Sequence, residues 1–566
     1  MNSWDLVALP LVLIVIFLFA WGGRDMDTPY HVGDPLPIDL DPVYLPYYAL
    51  RTVLRMFAAL GVALAFSLAY AALAAKSRQA EKLLIPVLDI LQSVPILGFL
   101  TITVTGFIGL FPGSLLGVEC ASIFAIFTSQ AWNMTFSLYQ SFRTVPGELK
   151  EASRMFHLSN WAIFWRLEVP HAMPNLVWNM MMSVSGGWFF VVASEAITVS
   201  GQTILLPGVG SYIAQAIDQK DIAAVGWAVL TMLVVILIYD QLFFRPLLAW
   251  SSKFRAEQAP DEEMERPWFL IALQRAGVVA FARASIEALQ GWISALANRS
   301  GDARKVIAPA SAPLDPRIGR TTVFLWNGLL IVGAVWSAFE LYRFITASLT
   351  LGEVWTVFLL ALATAARVLI LIALATLLWV PVGVWIGLRP RVAVVAQPIV
   401  QFMAAFPANM FFPIAVVLIV KFDLNVEIWV SPLMILGTQW YIAFNVISGA
   451  LALPRDLHYV AGNLGVTKWL WWRRLILPGI FPAYITGAVT AAGGSWNASI
   501  VSEVVKWGDT TLTATGVGAY IAKATEAGDF PRIALGIAML CLFVTVFNRL
   551  FWRRLYDVAA ERQRLD

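Results

Sequence analysis

Charge is scarce in this 566-residue chain: Asp, Glu, Lys and Arg make up 13% of it, against 59% apolar residues. An ordinary soluble domain carries about 25% charged residues, so the shortfall points to a polytopic membrane protein. Net charge is only +3, and no long basic run with interleaved aromatics occurs, which leaves no case for nucleic acid. Cysteine is nearly absent. Cys120 and Cys541 both lie in apolar stretches without ligand-like spacing, and read as buried small side chains rather than a disulfide or a metal site. The four histidines are scattered, with no His-x-x-x-His or Cys/His cluster, so neither a metal nor a catalytic residue is expected. No Gly-x-x-x-x-Gly-Lys-Ser/Thr occurs, so the loop that cradles nucleotide phosphates is missing. No Lys or Arg precedes the first apolar stretch, about Leu6 to Trp21, which therefore reads as a retained membrane helix and not a secretory signal.

What the chain has in abundance is repetition. The block Trp188 to Glu195 returns as Trp496 to Glu503, 308 positions later (503 minus 195). Trp132 and Trp440, Phe136 and Phe444, Pro146 and Pro454, Pro170 and Pro478, Pro174 and Pro482, and Tyr212 and Tyr520 keep that interval. So do Gly208-Val209-Gly210 and Gly516-Val517-Gly518. Arg55 and Arg367, Pro86 and Pro398, and Pro95 and Pro407 stand 312 apart, which fits one short loop deletion in the second copy. A long repeat in a hydrophobic chain implies two similar membrane halves facing each other across a pseudo-twofold axis.

Each half gives about six apolar stretches long enough to span the hydrocarbon core. They lie near 6–22, 47–75, 83–111, 119–141, 175–198 and 222–245, then near 322–345, 354–388, 393–420, 428–450, 480–504 and 532–552. The predicted domains are 1–250 (core about 47–250), a linker 251–320, and 321–566 (core about 354–556). One set of loops holds the basic residues, including Lys76, Arg78, Arg143, Arg154, Arg455, Lys468, Arg473 and Arg474, whereas 25–41 is rich in Asp and Pro. The positive-inside rule puts the basic set, and both termini, in the cytosol. In the linker, Trp268 to Leu296 is apolar but interrupted by Arg275, Arg283 and Glu287, which suits an interfacial helix better than a span.

The segment after the fourth span of each half carries the strongest signal. Pro146 can open a helix, Glu148 and Glu151 suit its positive end, and Leu149, Ala152, Phe156 and Leu158 form an apolar stripe. Pro170 is expected to stop this helix before the next span. The run Glu151-Ala152-Ser153 with His157, and its second copy Tyr459-Val460-Ala461 with Leu464-Gly465 and then Leu477-Pro478, resembles the cytosolic loop of permease subunits in binding-protein-dependent ABC importers. The Trp…Glu blocks and the Gly-x-Gly that follows each resemble the nitrate/sulfonate/taurine branch.

The resemblance implies an all-α polytopic membrane protein with two homologous six-helix type I ABC importer permease halves and about 12 transmembrane helices. It implies a pathway for a small anion of the nitrate, sulfonate or bicarbonate type. It further implies two ABC ATPase subunits (homo- or heterodimer) beneath, an extracytoplasmic solute-binding protein above, and no cofactor on this chain, ATP and Mg belonging to the ATPase. ATPase coupling is thereby assigned to Pro146, Glu148, Glu151, Ala152, Ser153, Phe156 and His157, and to Pro454, Tyr459, Ala461, Leu464 and Gly465. Tyr459 for the acidic residue and His157 for the glycine depart from the pattern and put equal engagement of the two ATPases in question.

Arg55 and Glu195 are expected at similar depth, as are Arg367 and Glu503, each as an ion pair or, alternatively, as an anion-attracting arginine released by its glutamate. With Trp188, Trp496, Asn497 and Ser499 they make the candidate pathway or gate. Ser183, Ser194, Ser495 and Asn133 are further polar groups that could line the route or serve helix packing. The segments 201–217 and 508–521 are expected to form short outer helices near the gate. The alternatives are a secondary active transporter, in which broken helices and a buried carboxylate would be expected, and a non-transporting membrane sensor.

Overall fold

The computed structural model describes residues 17–18, 20–31, 33–34, 36–93, 96–156, 158–199, 202–254, 316–555 and 558. The first predicted span falls almost wholly outside these residues, as does most of the predicted 251–320 linker with its interfacial helix.

The first half begins with α1 (Leu45–Lys76), which carries Pro46 in its opening turn, where the missing N–H has no intrahelical acceptor. Then come α2 (Arg78–Ser93), α3 (Ile96–Leu110) and α4 (Leu116–Arg143). A short helix, α5 (Gly147–Met155), follows, then α6 (Asn160–Ile163) leading into α7 (Val169–Glu195). A hairpin of β1 (Ala196–Val199) and β2 (Gln202–Leu205) precedes α8 (Val209–Asp218), α9 (Ile222–Tyr239) and α10 (Arg245–Ser251). The second half repeats the order. It comprises α11 (Pro316–Thr346), α12 (Leu351–Gly387), α13 (Pro390–Ala405), α14 (Phe412–Lys421), α15 (Val426–Trp429), α16 (Gln439–Leu451), α17 (Arg455–Asn463) and α18 (Lys468–Trp471). It closes with α19 (Leu477–Ser502), β3 (Val504–Trp507), β4 (Thr510–Thr513), α20 (Val517–Ala527) and α21 (Phe530–Phe547).

Three sequence expectations are corrected. Pro170 stops no helix: it sits in the first turn of α7, which continues from α6 through a π-helical turn, Phe164–Glu168. The wider turn spaces the backbone so that the missing proline N–H is accommodated. The second copy repeats the π turn at Trp472–Ile476, and a second pair stands at Asp240–Phe244 and Asn548–Trp552. Next, the segments after α7 and α19 are not purely helical. Each opens with a two-residue hairpin before its short helix, with Val199 opposite Gln202 and Trp507 opposite Thr510. Finally, some predicted spans are broken. Pro390–Ala405 and Ala408–Lys421 meet at 78°, with Pro407 at the break, and Val426–Met434 meets Gln439–Leu451 at 47°. Among the described residues six helices are long and apolar enough to cross a membrane, or eight if each bent pair is one span.

Each half buries its own core. The first gathers Met56, Met134, Met181, Trp188 and Tyr212, and the second Val357, Ile442, Ile480, Trp496 and Leu540. The halves also interlock: Ala405, Phe406 and Met410, from the break after α13, are buried within the first half's core. On the other side of the seam between the halves α3 lies against α19, where Gly98 faces Ile500.

Candidate functional site

A buried charge cluster stands where α7 gives way to the β1–β2 hairpin. Arg55 Nε and Nη2 reach the two Glu119 carboxylate oxygens at 2.6 and 2.7 Å, and Nη1 reaches Glu195 Oε1 at 2.7 Å and the Pro207 carbonyl at 2.9 Å. Arg51 donates to Glu119 and to the Gly22 carbonyl, both at 2.7 Å. Thr52 donates to Glu195 Oε1 at 2.7 Å and accepts from the Val209 N–H at 3.0 Å. All four charged side chains are fully buried. Charges survive such desolvation only when paired and hydrogen-bonded, and here two cations face two anions. All three nitrogens of Arg55 are engaged within the protein, so its donors point at glutamates and a carbonyl.

The second half repeats the arrangement with substitutions. Arg367 bridges Glu503 at 2.9 Å and Glu427 at 2.7 Å, and Thr364 donates to Glu503 at 2.7 Å. The position of Arg51 is Ala363 here. Thr515 supplies the missing donors, its N–H and hydroxyl reaching Glu427 at 2.9 and 2.7 Å. In the first half that position is Pro207, which has no N–H and no hydroxyl. This second cluster is more open, with the Arg367 side chain 13% exposed and Glu427 46%.

These clusters explain the Gly-x-Gly motif. A side chain at Gly208 would overlap the Glu195 carboxylate, and one at Gly210 the Val192 carbonyl; Gly516 and Gly518 meet Glu503 and Ser499 in the same way. Glycine allows the backbone to pass directly over the buried carboxylate and donate to it, from Gly210 N–H at 2.7 Å and from Ala519 N–H at 3.0 Å. The predicted pairs Arg55–Glu195 and Arg367–Glu503 are thus both present. Sequence reasoning missed Glu119, Glu427, Arg51, Thr52, Thr364 and Thr515. A signal existed for two pairs, because Glu119 and Glu427 keep the 308 interval and Thr52 and Thr364 the 312 interval.

The other predicted gate residues lie in the helix packing. Trp188 is buried edge-on against Tyr239, with ring centroids 5.4 Å apart, and Trp496 is buried in the second core. Ser499 is buried and bonds the Trp496 carbonyl in its own helix. Asn497 reaches the seam: its Oδ1 accepts from the Ile96 N–H of α3 at 2.8 Å. Asn133 donates to Ser183, Ser122 pairs with Ser194, and Thr438 with Ser495, each tying two helices of one half together. A cavity of about 410 Å³ lies between the halves, lined by Leu97, Ile197, Ile217, Asn409, Ile500 and Lys506 among others; none of the predicted gate residues lines it.

At the opposite end, α5 and α17 stand out from the bundle. Pro146 and Pro454 occupy the N-cap positions, with Glu148 and Asp456 in the first turns, where the positive helix end favours acidic side chains. Glu151, Ala152 and Ser153 lie on α5, and Tyr459 and Ala461 on α17. The tips are apolar and uncovered: Phe156 is 80% exposed and Leu464 73%, with Met155 and Tyr459 beside them. Gly465 ends the second helix with φ +65°, a backbone conformation that favours glycine. Its counterpart His157 lies outside the described residues.

A twice-repeated helical unit, each copy with a protruding loop helix at one end and a hairpin over a buried Arg–Glu cluster at the other, defines a two-half polytopic membrane protein. The chain belongs to the binding-protein-dependent transport system inner membrane component family, which it matches twice, at residues 61–244 and 379–558. It is 27% identical to the bicarbonate transport system permease protein CmpB of Synechococcus elongatus over 176 residues, 31% of this chain and 60% of that protein. It is 22% identical to the nitrate import permease protein NrtB of a Synechocystis species over 250 residues, 42% of this chain and 86% of the relative. With the taurine transport system permease protein TauC of Escherichia coli, identity is 24% over 182 residues, 32% of this chain and 62% of TauC. Broken spans and buried carboxylates, which the sequence associated with secondary carriers, therefore occur here in a permease family.

Proposed function

We propose that this chain is the fused permease of an ATP-driven importer in the inner membrane, forming the translocation pathway for a small anion such as nitrate, bicarbonate or a sulfonate. The observation that carries the reading is the duplicated loop helix with an uncovered apolar tip, at the same end of both halves. Large apolar side chains held out on short helices suit a protein partner. Two ATPase subunits, identical or different, dock there, each taking one helix. ATP and Mg act on those subunits, and this chain contributes no catalytic group. The π turns join α6 and α18, the short helices that follow each loop helix, directly to α7 and α19, so force on the loop is passed to those spans. The basic residues beside these loops support a cytosolic position for this end and for both termini. The hairpin end then faces the solute-binding protein. The bicarbonate, nitrate and taurine transport named for the relatives supports the cargo class.

The test is reconstitution with the ATPase and binding protein encoded alongside. Uptake of labelled nitrate, bicarbonate and taurine is measured in vesicles. The expected result is uptake of one anion class that requires both ATP and the binding protein. Uptake driven by an ion gradient without any ATPase would overturn the reading in favour of a secondary carrier.

A further inference from the structure

The turn of the second hairpin, Gly508-Asp509, leans across the seam onto the end of α8. Gly508 N–H donates to the Ile217 carbonyl at 2.9 Å, and Lys220 Nζ lies 2.7 Å from Asp509 Oδ2. A side chain at Gly508 would overlap that of Lys220, so the two segments touch closely. Ile217 and the β3 residue Lys506 also line the cavity between the halves, which places this contact at the cavity rim.

The internal repeat makes the contact one-sided. Lys220 corresponds to Gly528 and Asp509 to Gly201, each pair 308 positions apart. Neither glycine has a side chain, so the equivalent ion pair has no atoms to form it. Lys220 and Gly528 share a left-handed backbone, with φ 58° and 68°. Glycine adopts that conformation freely, whereas lysine does so against a steric penalty. A strained residue retained where the chain's own second copy uses glycine points to a use for its side chain. The Lys220 ammonium holds the Asp509 carboxyl below its ordinary range.

We propose that Lys220 and Asp509 form a latch, present on one side of the seam only, that holds the halves together over the inter-half cavity and releases in each transport cycle. This rests on the importer reading above. Lys220 is half exposed and Asp509 fully so. An exposed pair is weak and screened by salt, which suits a contact broken repeatedly.

Thr525 lines the cavity and serves as the reporter. T525C is introduced with C120S and C541S into the full chain in vesicles without nucleotide, and labelled from the hairpin side with a membrane-impermeant maleimide. D509N or K220Q is expected to speed labelling about two- to threefold, as loss of an exposed pair allows. The swap K220D/D509K restores the slow rate, and high salt accelerates the wild type but not D509N. Equal rates in all these proteins would overturn the latch. In a second arm, K220C/D509C is joined by a short, cleavable bis-maleimide, with import expected to stop and to resume on cleavage. Import that continues with the link intact would also overturn it. If the unlinked protein does not import at all, the importer reading fails, while the labelling arm still decides the latch.

Discussion

At Arg55 and Arg367 the same residue type sits in two electrostatic settings, and the difference can be measured. Arg55 is fully buried between two buried glutamates. R55Q leaves the buried Glu195 without a cation and Glu119 with Arg51 alone, and breaking a buried pair in this way costs about 3–5 kcal/mol. Arg367 is partly exposed, and Glu427 keeps its bonds to Thr515 when the arginine is removed. R367Q should therefore lower the melting temperature clearly less than R55Q in detergent, followed by tryptophan fluorescence. Equal losses would contradict the asymmetry. Glycine gives a second contrast. G210A and G518A place a methyl against a backbone carbonyl that cannot swing aside, so both should melt earlier. G61A, with open space around it inside α1, should be neutral or gain about 0.5–1 kcal/mol. The Arg–Glu pairs were legible in the sequence because helix rise fixes depth along a span. Arg51, opposite Ala363 in the repeat, was not, and the repeat of Glu119 as Glu427 does not name its partners, because which neighbouring helix a side chain faces depends on packing.

The loop helices α5 and α17 are elements whose exposed faces do little for the fold. F156D and L464D should leave the melting temperature unchanged, since surface changes away from packed groups stay within about 0.5 kcal/mol, but should abolish co-purification with the ATPase. Retained association would count against docking at these tips. Both helices were readable from Pro, then acidic residues, then an apolar stripe. The π turns were not, since no residue pattern separates Phe164–Glu168 from an ordinary helical turn. The second hairpin left a trace that was overlooked: Gly508-Asp509 between Val504–Trp507 and Thr510–Thr513 is a two-residue turn flanked by β-branched residues. The break at Pro407 was visible as a proline, whereas the one at 435–438 holds none. Their angles depend on what the broken ends pack against.

For the whole molecule, interlocking matters more than the covalent link. Ala405, Phe406 and Met410 enter the first half's core, Trp178 stacks on Phe444 with centroids 5.9 Å apart, and Asn497 holds the start of α3. The halves 1–250 and 321–566, co-expressed as separate chains, should therefore co-purify, checked by affinity capture of one tagged half. Failure to associate would mean that the 251–320 segment holds them together.

Membrane residence, duplication and the two loop helices were determined by the sequence itself, because hydropathy, repeat interval and helix-start signals act over short distances along the chain. Tertiary structure alone decided that Glu119 and Glu427 join the Arg–Glu pairs, that Trp188 and Trp496 pack inward, and that the Gly508-Asp509 turn reaches across the seam to Ile217 and Lys220. Those outcomes depend on the rotation and offset of helices against one another, which are set by side-chain packing between segments hundreds of residues apart.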